Sequence, residues 1–202
     1  MPLKQQLLET SKPLFFRNGV KSVTMDEIAN ALGISKKTIY QVYADKNTLI
    51  EDLIVSEMTA QYQILSALVN SSENPIHEMK QISDSMSKVF MQIQPVFFYD
   101  LKKYYALIYK TFQEQKNHLA FNLIQQNIQK GIELGYYRAQ LDIPRTIHLR
   151  LKQLDELLFN PEYGFSQNEF IITHEMSFRY FIYGISTLKG HHMIDQYFQY
   201  EP

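Results

Sequence analysis

An all-α fold is predicted by two patterns and one absence in this chain of 202 residues. Apolar residues recur at steps of three and four: Met79, Ile82, Met86, Phe90 and Ile93 form one series, and Ile147, Leu151, Leu154 and Leu158 another. Such spacing puts each series on one face of a helix. Glycine and proline, seven of each, punctuate these stretches at intervals that suit helix ends. No alternating apolar–polar run long enough to compete as a strand is present.

The punctuation divides the chain into about nine helices. The first runs from Leu3 to Asn18 and stops at Gly19, whose freedom at positive φ suits a helix end. Pro13 lies inside it, removes a backbone donor and is expected to kink it. Short helices are predicted over 25–31 and 36–42, and Asp45 caps a long one reaching Val69. Asn74 followed by Pro75 opens the next, which ends before Pro95. From Pro95 a short helix leads into a long one that stops at Gly135. Asp142 and Pro144 begin the eighth. Ser166 with Glu169 has the spacing of a capping box for the ninth, expected to end near Gly190. Residues 1–45 read as a small head and residues 46–202 as a larger helical body.

Composition narrows the function classes. The net charge is −1, yet residues 1–50 carry seven Lys/Arg against four Asp/Glu, so a basic head precedes an acidic body. That asymmetry points to a polyanion at one end. The absence of cysteine excludes disulfides and thiolate metal sites. No signal peptide is legible in MPLKQQLLETSK, and the stretch VFFYDLKKYYALIY is broken by charges too often to span a bilayer. A soluble, cytoplasmic chain with no membrane partner is expected.

The chemistry concentrates in SVTMDEIANALGISKKTIYQVYADK. Thr24 and Glu27 form a capping box, and Asp26 and Glu27 suit the positive end of the helix they begin. Ile28, Ala29 and Leu32 give this short helix an apolar face, Gly33 reverses the chain, and Ile34 returns an apolar anchor. Ser35 caps a second helix and leaves Lys36, Lys37 and Thr38 at its exposed start. A short helix, a glycine turn and a second helix presenting its first residues make a helix-turn-helix. Lys36, Lys37 and Lys46 supply charge for phosphate oxygens, and Tyr40 a phenol for the same purpose. Thr38 and Gln41 can hydrogen-bond to base edges, and Val42 can meet a thymine methyl. Thr24, Ser35, Lys36, Lys37, Thr38, Tyr40, Gln41 and Lys46 are therefore the expected DNA-binding set.

In these residues the chain resembles the TetR family of bacterial transcriptional regulators. The resemblance covers residues 5–50, with Leu14 and Phe15 at the end of the first helix, Gly19, VTMDEIANALGISKKTIYQVYADKNTL, and the Tyr40 and Lys46 positions. The segment GIELGYYRAQLDIP is also similar to family members. Two departures stand out: Pro13 where the family has uninterrupted helix formers, and Tyr43 where phenylalanine is common. The Tyr43 hydroxyl needs an outlet from the packed head.

The resemblance implies a three-helix DNA-binding head on a helical body that encloses a small-molecule pocket and forms a dimer. Met58, Tyr62, Met86, Phe90, Phe97, Tyr104, Tyr105 and Phe112 are the expected pocket lining, with Asn122 and Gln126 as polar contacts for an apolar or aromatic effector. The dimer is expected on the last two helices through Leu151, Leu154, Leu158, Phe178, Ile182 and Ile185. Phe170, Phe181 and Leu188 lie on another side of the ninth helix, and Gly184 permits close helix approach. No nucleophile–base pair, phosphate loop or paired carboxylates stand out, so no enzyme is expected. His191, His192 and Asp195 lack a third convincing ligand, so neither metal nor cofactor is expected.

The expected function is a ligand-responsive homodimeric repressor that binds double-stranded operator DNA and is released by its effector. Two alternatives use the same features: an activator or architectural DNA-binding protein without an effector, and an all-α ligand-binding protein whose head contacts protein.

Overall fold

The computed structural model describes residues 1–159 and 167–198. Ser166, the expected cap of the ninth helix, lies outside them. Ten helices occur among the described residues: α1 (Leu3–Asn18), α2 (Met25–Leu32), α3 (Lys36–Tyr40), α4 (Lys46–Ser71), α5 (Pro75–Phe90), α6 (Pro95–Tyr104), α7 (Ala106–Glu133), α8 (Ile143–Phe159), α9 (Gln167–Ile185) and α10 (Leu188–Tyr197). The fold is all-α, as the periodicity predicts. None of these helices is long and apolar enough to cross a membrane. The chain forms two compact units, one of residues 1–62 and 92–114, the other of Gln63–Met91 and Gln115 onward.

In the first unit α1 continues through Pro13, and its buried residues Leu7, Phe15 and Phe16 pack inward. Tyr43 is buried, and its hydroxyl finds the outlet it needs by donating to Asp52 Oδ2 at 2.5 Å. Lys4 holds the same carboxylate at 2.9 Å. Helix α6 closes over α1. The Gln94 N–H donates to the Phe16 carbonyl at 2.8 Å, and the Phe97 ring meets Phe16 edge-on at 5.0 Å between centroids.

The chain turn after α1 is locked by the same helix. Gly19 has φ 81°, and a Cβ there would lie 2.4 Å from Asp100 Oδ2. That carboxylate oxygen accepts the Lys21 N–H at 2.8 Å. Asp100 is buried, so replacing it with alanine strands a backbone donor. Asp100→Ala is expected to lower stability by ~1–3 kcal/mol, measured as a shift of the urea midpoint at unchanged slope.

In the second unit a core forms around Ile76, Met79, Ile124, Ile128, Tyr137, Ile147, Leu151, Phe178, Ile182, Ile185 and Ile194. Asn74 caps α5 by accepting from the N–H groups of Ile76 and His77, at 3.1 and 3.0 Å. After Gly135, at φ 73°, the chain returns so that the Tyr137 ring lies on Gly131. The Tyr137 hydroxyl is 2.9 Å from Asn127 Oδ1 and 3.1 Å from the Pro75 carbonyl.

The predicted single last helix is two. Ser186 leaves the helix to bridge Tyr137, and the Thr187 side chain caps α10 by accepting the Gly190 N–H at 3.3 Å. The Thr187 N–H donates to the Tyr136 carbonyl at 2.9 Å, so the 136–138 segment competes successfully for the backbone of α9. Gly190 is consequently no helix stop; it admits the Tyr136 carbonyl, 2.4 Å from where a Cβ would be. Gly184, expected to permit a close helix approach, has no neighbour in this chain within 4 Å of such a Cβ.

His174 on α9 is 2% exposed, with Nδ1 3.0 Å from Ser87 Oγ on α5. Burial, reinforced by the nearby Arg150 charge and opposed by Asp84, holds its pKa down to about 4. The folded state thus keeps a neutral imidazole that the unfolded chain protonates from about pH 6.5 downward. Stability is complete above that pH and is lost as pH falls toward 4, by about 3 kcal/mol in all. Urea unfolding between pH 7.5 and 4 checks this, and His174→Gln should flatten the decline.

Candidate nucleic-acid interface

The helix-turn-helix is built by its own caps. Thr24 Oγ1 accepts the Glu27 N–H at 3.2 Å, while Glu27 Oε2 accepts the Thr24 N–H at 2.6 Å. Both halves of the predicted capping box are therefore formed. Gly33, at φ 67°, makes the left-handed turn, and the Ile34 N–H reaches back to the Ala29 carbonyl at 3.0 Å. Ser35 Oγ accepts the Thr38 N–H at 3.1 Å to start α3. Ile28, Ala29 and Ile39 are buried and fix α3 against α2.

These contacts sort the expected DNA-binding residues. Thr24 and Ser35 spend their hydroxyls on helix starts, Ser35 Oγ also lying 2.8 Å from Thr38 Oγ1. Lys36 Nζ is paired with Asp26 Oδ2 at 2.7 Å, and this carboxylate raises its pKa. Lys37, Tyr40 and Gln41 are exposed, and Thr38 is half-buried. Lys46 is half-buried too. Its ammonium lies 3.4 Å from the Lys21 carbonyl and over the rings of Phe15 and Tyr105, at 5.7 and 5.9 Å. Burial lowers its pKa against the opposing charges of Asp100 and Glu27.

One neighbourhood was missed by sequence reasoning. Lys21 Nζ donates to the Tyr104 hydroxyl at 3.0 Å and lies over that ring at 4.4 Å, while Lys103 Nζ donates to the Tyr99 hydroxyl at 2.8 Å. Asp100 ties this strip to the turn that precedes α2. A single aspartate inside VFFYDLKKYY was the available signal, since a lone acid amid aromatics needs a partner.

The expected pocket residues fall in both units. In the first unit Phe97 belongs to the core against Phe16 and Phe98, Phe112 stacks on Phe98, and Tyr104 and Tyr62 are exposed. Tyr105 flanks Lys46, and Met58 is half-buried. In the second unit Met86 is half-buried and Phe90 meets the Phe170 ring at 5.5 Å. Asn122 Nδ2 is 3.2 Å from His118 Nε2 on the same helix, and Gln126 is exposed. Helical spacing marks which residues are apolar on one face but not which neighbour covers that face.

The expected dimer residues divide by burial. Leu151, Phe178, Ile182 and Ile185 lie inside the second unit's core, and Leu154 and Leu158 are half-buried. Among the described residues, the large apolar side chains left exposed on α8 and α9 are Leu149, Ile172, Met176 and Tyr180.

Comparison with known proteins agrees with this architecture. Residues 7–53 match the family described as bacterial regulatory proteins, tetR family. The HTH-type transcriptional repressor KstR2 of Mycobacterium tuberculosis is 23% identical over 141 residues, spanning 68% of this chain and 70% of that protein. Among solved structures, SCO4454, a TetR-family transcriptional regulator from Streptomyces coelicolor, is similar with a TM-score of 0.73 and 13% identity, over 91% of this chain and 96% of that one. The transcriptional regulator FadR from Bacillus subtilis in complex with stearoyl-CoA is similar with a TM-score of 0.70 and 13% identity, over 90% and 98%. At such identities the two structures speak for the fold alone. The family match thus falls on the helix-turn-helix head, and the all-α body shares its fold with TetR-family transcriptional regulators.

Proposed function

We propose that this chain is a homodimeric transcriptional repressor of the bacterial cytoplasm, released from operator DNA by a small-molecule effector. The observation that carries the reading is the α2–turn–α3 frame, closed by its own caps so that Lys37, Tyr40 and Gln41 stand exposed at one edge. The relative KstR2 is named a repressor, which supports the repressor reading. Two heads in a dimer engage two half-sites, and the effector lowers operator affinity by binding the DNA-free state more tightly. The chain's role is regulatory and not catalytic.

Phosphate contacts set affinity and base contacts set sequence preference. Lys37 is the sharper phosphate probe than Lys36, whose charge Asp26 already engages. Lys37→Ala is expected to weaken binding to all duplexes alike and to reduce the salt slope by about 1 per head. Gln41→Ala and Thr38→Ala are expected to relax preference at one base position each, at a cost of ~1–3 kcal/mol per half-site. Fluorescence anisotropy across a salt series and selection from randomised duplexes measure the two effects. Wild-type sequence preference in both variants would place recognition elsewhere.

A further inference from the structure

A positive charge is buried in the second unit with no carboxylate among the described residues paired with it. Arg150 on α8 is 4% exposed. Its Nη1 donates to Ser177 Oγ at 2.9 Å, and its guanidinium carbon lies 5.7 Å from the Phe178 ring centre and 5.3 Å from that of Phe181. Among the described residues no carboxylate pairs with it, and burial alone draws its pKa down to about 10. His174, also buried, feels the Arg150 charge and is kept neutral. Ring faces offset part of the cost of a buried guanidinium, but they accept none of its remaining N–H groups. A buried cation of this kind is ordinarily matched by an anion.

We propose that Arg150 binds the anionic group, carboxylate or phosphate, of an amphipathic organic ligand. The inference rests on the effector reading above and names the ligand's chemical class. Ser177 orients the guanidinium, leaving its other donors for two oxygens of the anion, the geometry in which arginine is strongest. His174, held neutral between Ser87 and the rings of Phe90 and Phe170, adds no competing charge, and those two rings are 5.5 Å apart on the same elements. They supply an apolar wall for the ligand's body. An uncharged ligand of the same shape leaves the guanidinium unmatched and loses the advantage.

Three probes share one apolar body: dodecanoate, dodecyl phosphate and dodecan-1-ol. Calorimetry with the full-length protein is expected to show at least one anionic probe binding tenfold or more tightly than the alcohol; which one wins separates a carboxylate ligand from a phosphate one. In Arg150→Gln and Arg150→Met the preference should vanish, with all three probes binding alike. Both variants should melt no lower than the unliganded wild type, because no internal ion pair is lost. Equal binding of alcohol and anions by the wild type, binding of none of the three, or a retained preference in the neutral variants overturns the proposal. So does unfolding of both variants, which would make Arg150 a structural strut. Operator release measured in parallel separates the two readings. An anion that binds through Arg150 without weakening DNA binding sustains this site and removes the effector role.

Discussion

Ile172→Glu combined with Tyr180→Glu is expected to yield folded monomers whose operator affinity falls by on the order of 10²–10⁴-fold. Ile172, Met176 and Tyr180 stand one turn apart along α9, with Ile172 65% and Tyr180 70% exposed. Leu149 on α8, the helix packed against α9, is exposed as well. An apolar stripe of this kind is costly to leave in water and is commonly an interface. A two-fold interface is isologous, so each introduced carboxylate enters it twice and faces the other copy's apolar stripe. The control is Ile182→Glu, ten residues from the stripe's start in the same helix. Ile182 is 0% exposed in the core, so a carboxylate there is buried without a partner and the chain should unfold, not dissociate. Sedimentation velocity with far-ultraviolet circular dichroism tells the outcomes apart. A double variant that still sediments as a dimer would move the interface off this stripe, and a monomeric wild type at micromolar concentration would remove the dimer altogether.

Gly131→Ala is expected to lower stability by ~3 kcal/mol, at the upper end of what overpacking ordinarily costs. A Cβ at Gly131 would lie 2.0 Å from Tyr137 Cδ2 and 2.2 Å from Cε2. The ring cannot swing aside cheaply, because its hydroxyl is engaged at Asn127 and Pro75 and its body is part of the buried core. Helix propensity alone favours alanine over glycine by about 1 kcal/mol, so the sign of the change decides between propensity and packing. For a chain of this size ~3 kcal/mol corresponds to a drop in melting temperature of roughly 6–12 °C. A variant as stable as the wild type would show that the 136–138 segment has room to shift.

The head was legible because its structure is local. Thr24, Glu27, Gly33 and Ser35 lie within twelve residues, and each satisfies backbone groups of its immediate neighbours. Such contacts depend on spacing, which a sequence displays. The break between α9 and α10 was not legible, because it is made by Tyr136 and Arg138, some fifty residues away along the chain. Apolar periodicity continued smoothly across Ser186 and Thr187 and could not report that competitor. The same limit explains Ile182 and Phe178: periodicity showed two apolar sides on α9 but not which of them faces its own core. Arg150 was passed over for the opposite reason. A charged residue within Ile147–Leu158 looks like an ordinary polar interruption until its burial is known.

The clasp of Asp100 on the turn at Gly19–Lys21 has a consequence for how this protein is made. Residues 1–62 emerge from the ribosome well before α6 exists, so the nascent helix-turn-helix lacks the carboxylate for the Lys21 N–H and the ring that meets Phe16. Domains commonly fold in order of synthesis, but this unit is built from two separate stretches of the chain and is completed only when the second, residues 92–114, has been made. Fusions that transplant only the first fifty residues onto another body would carry an open seam along Phe16. Chimeras that graft this head onto another body therefore need residues 92–114 as part of the graft.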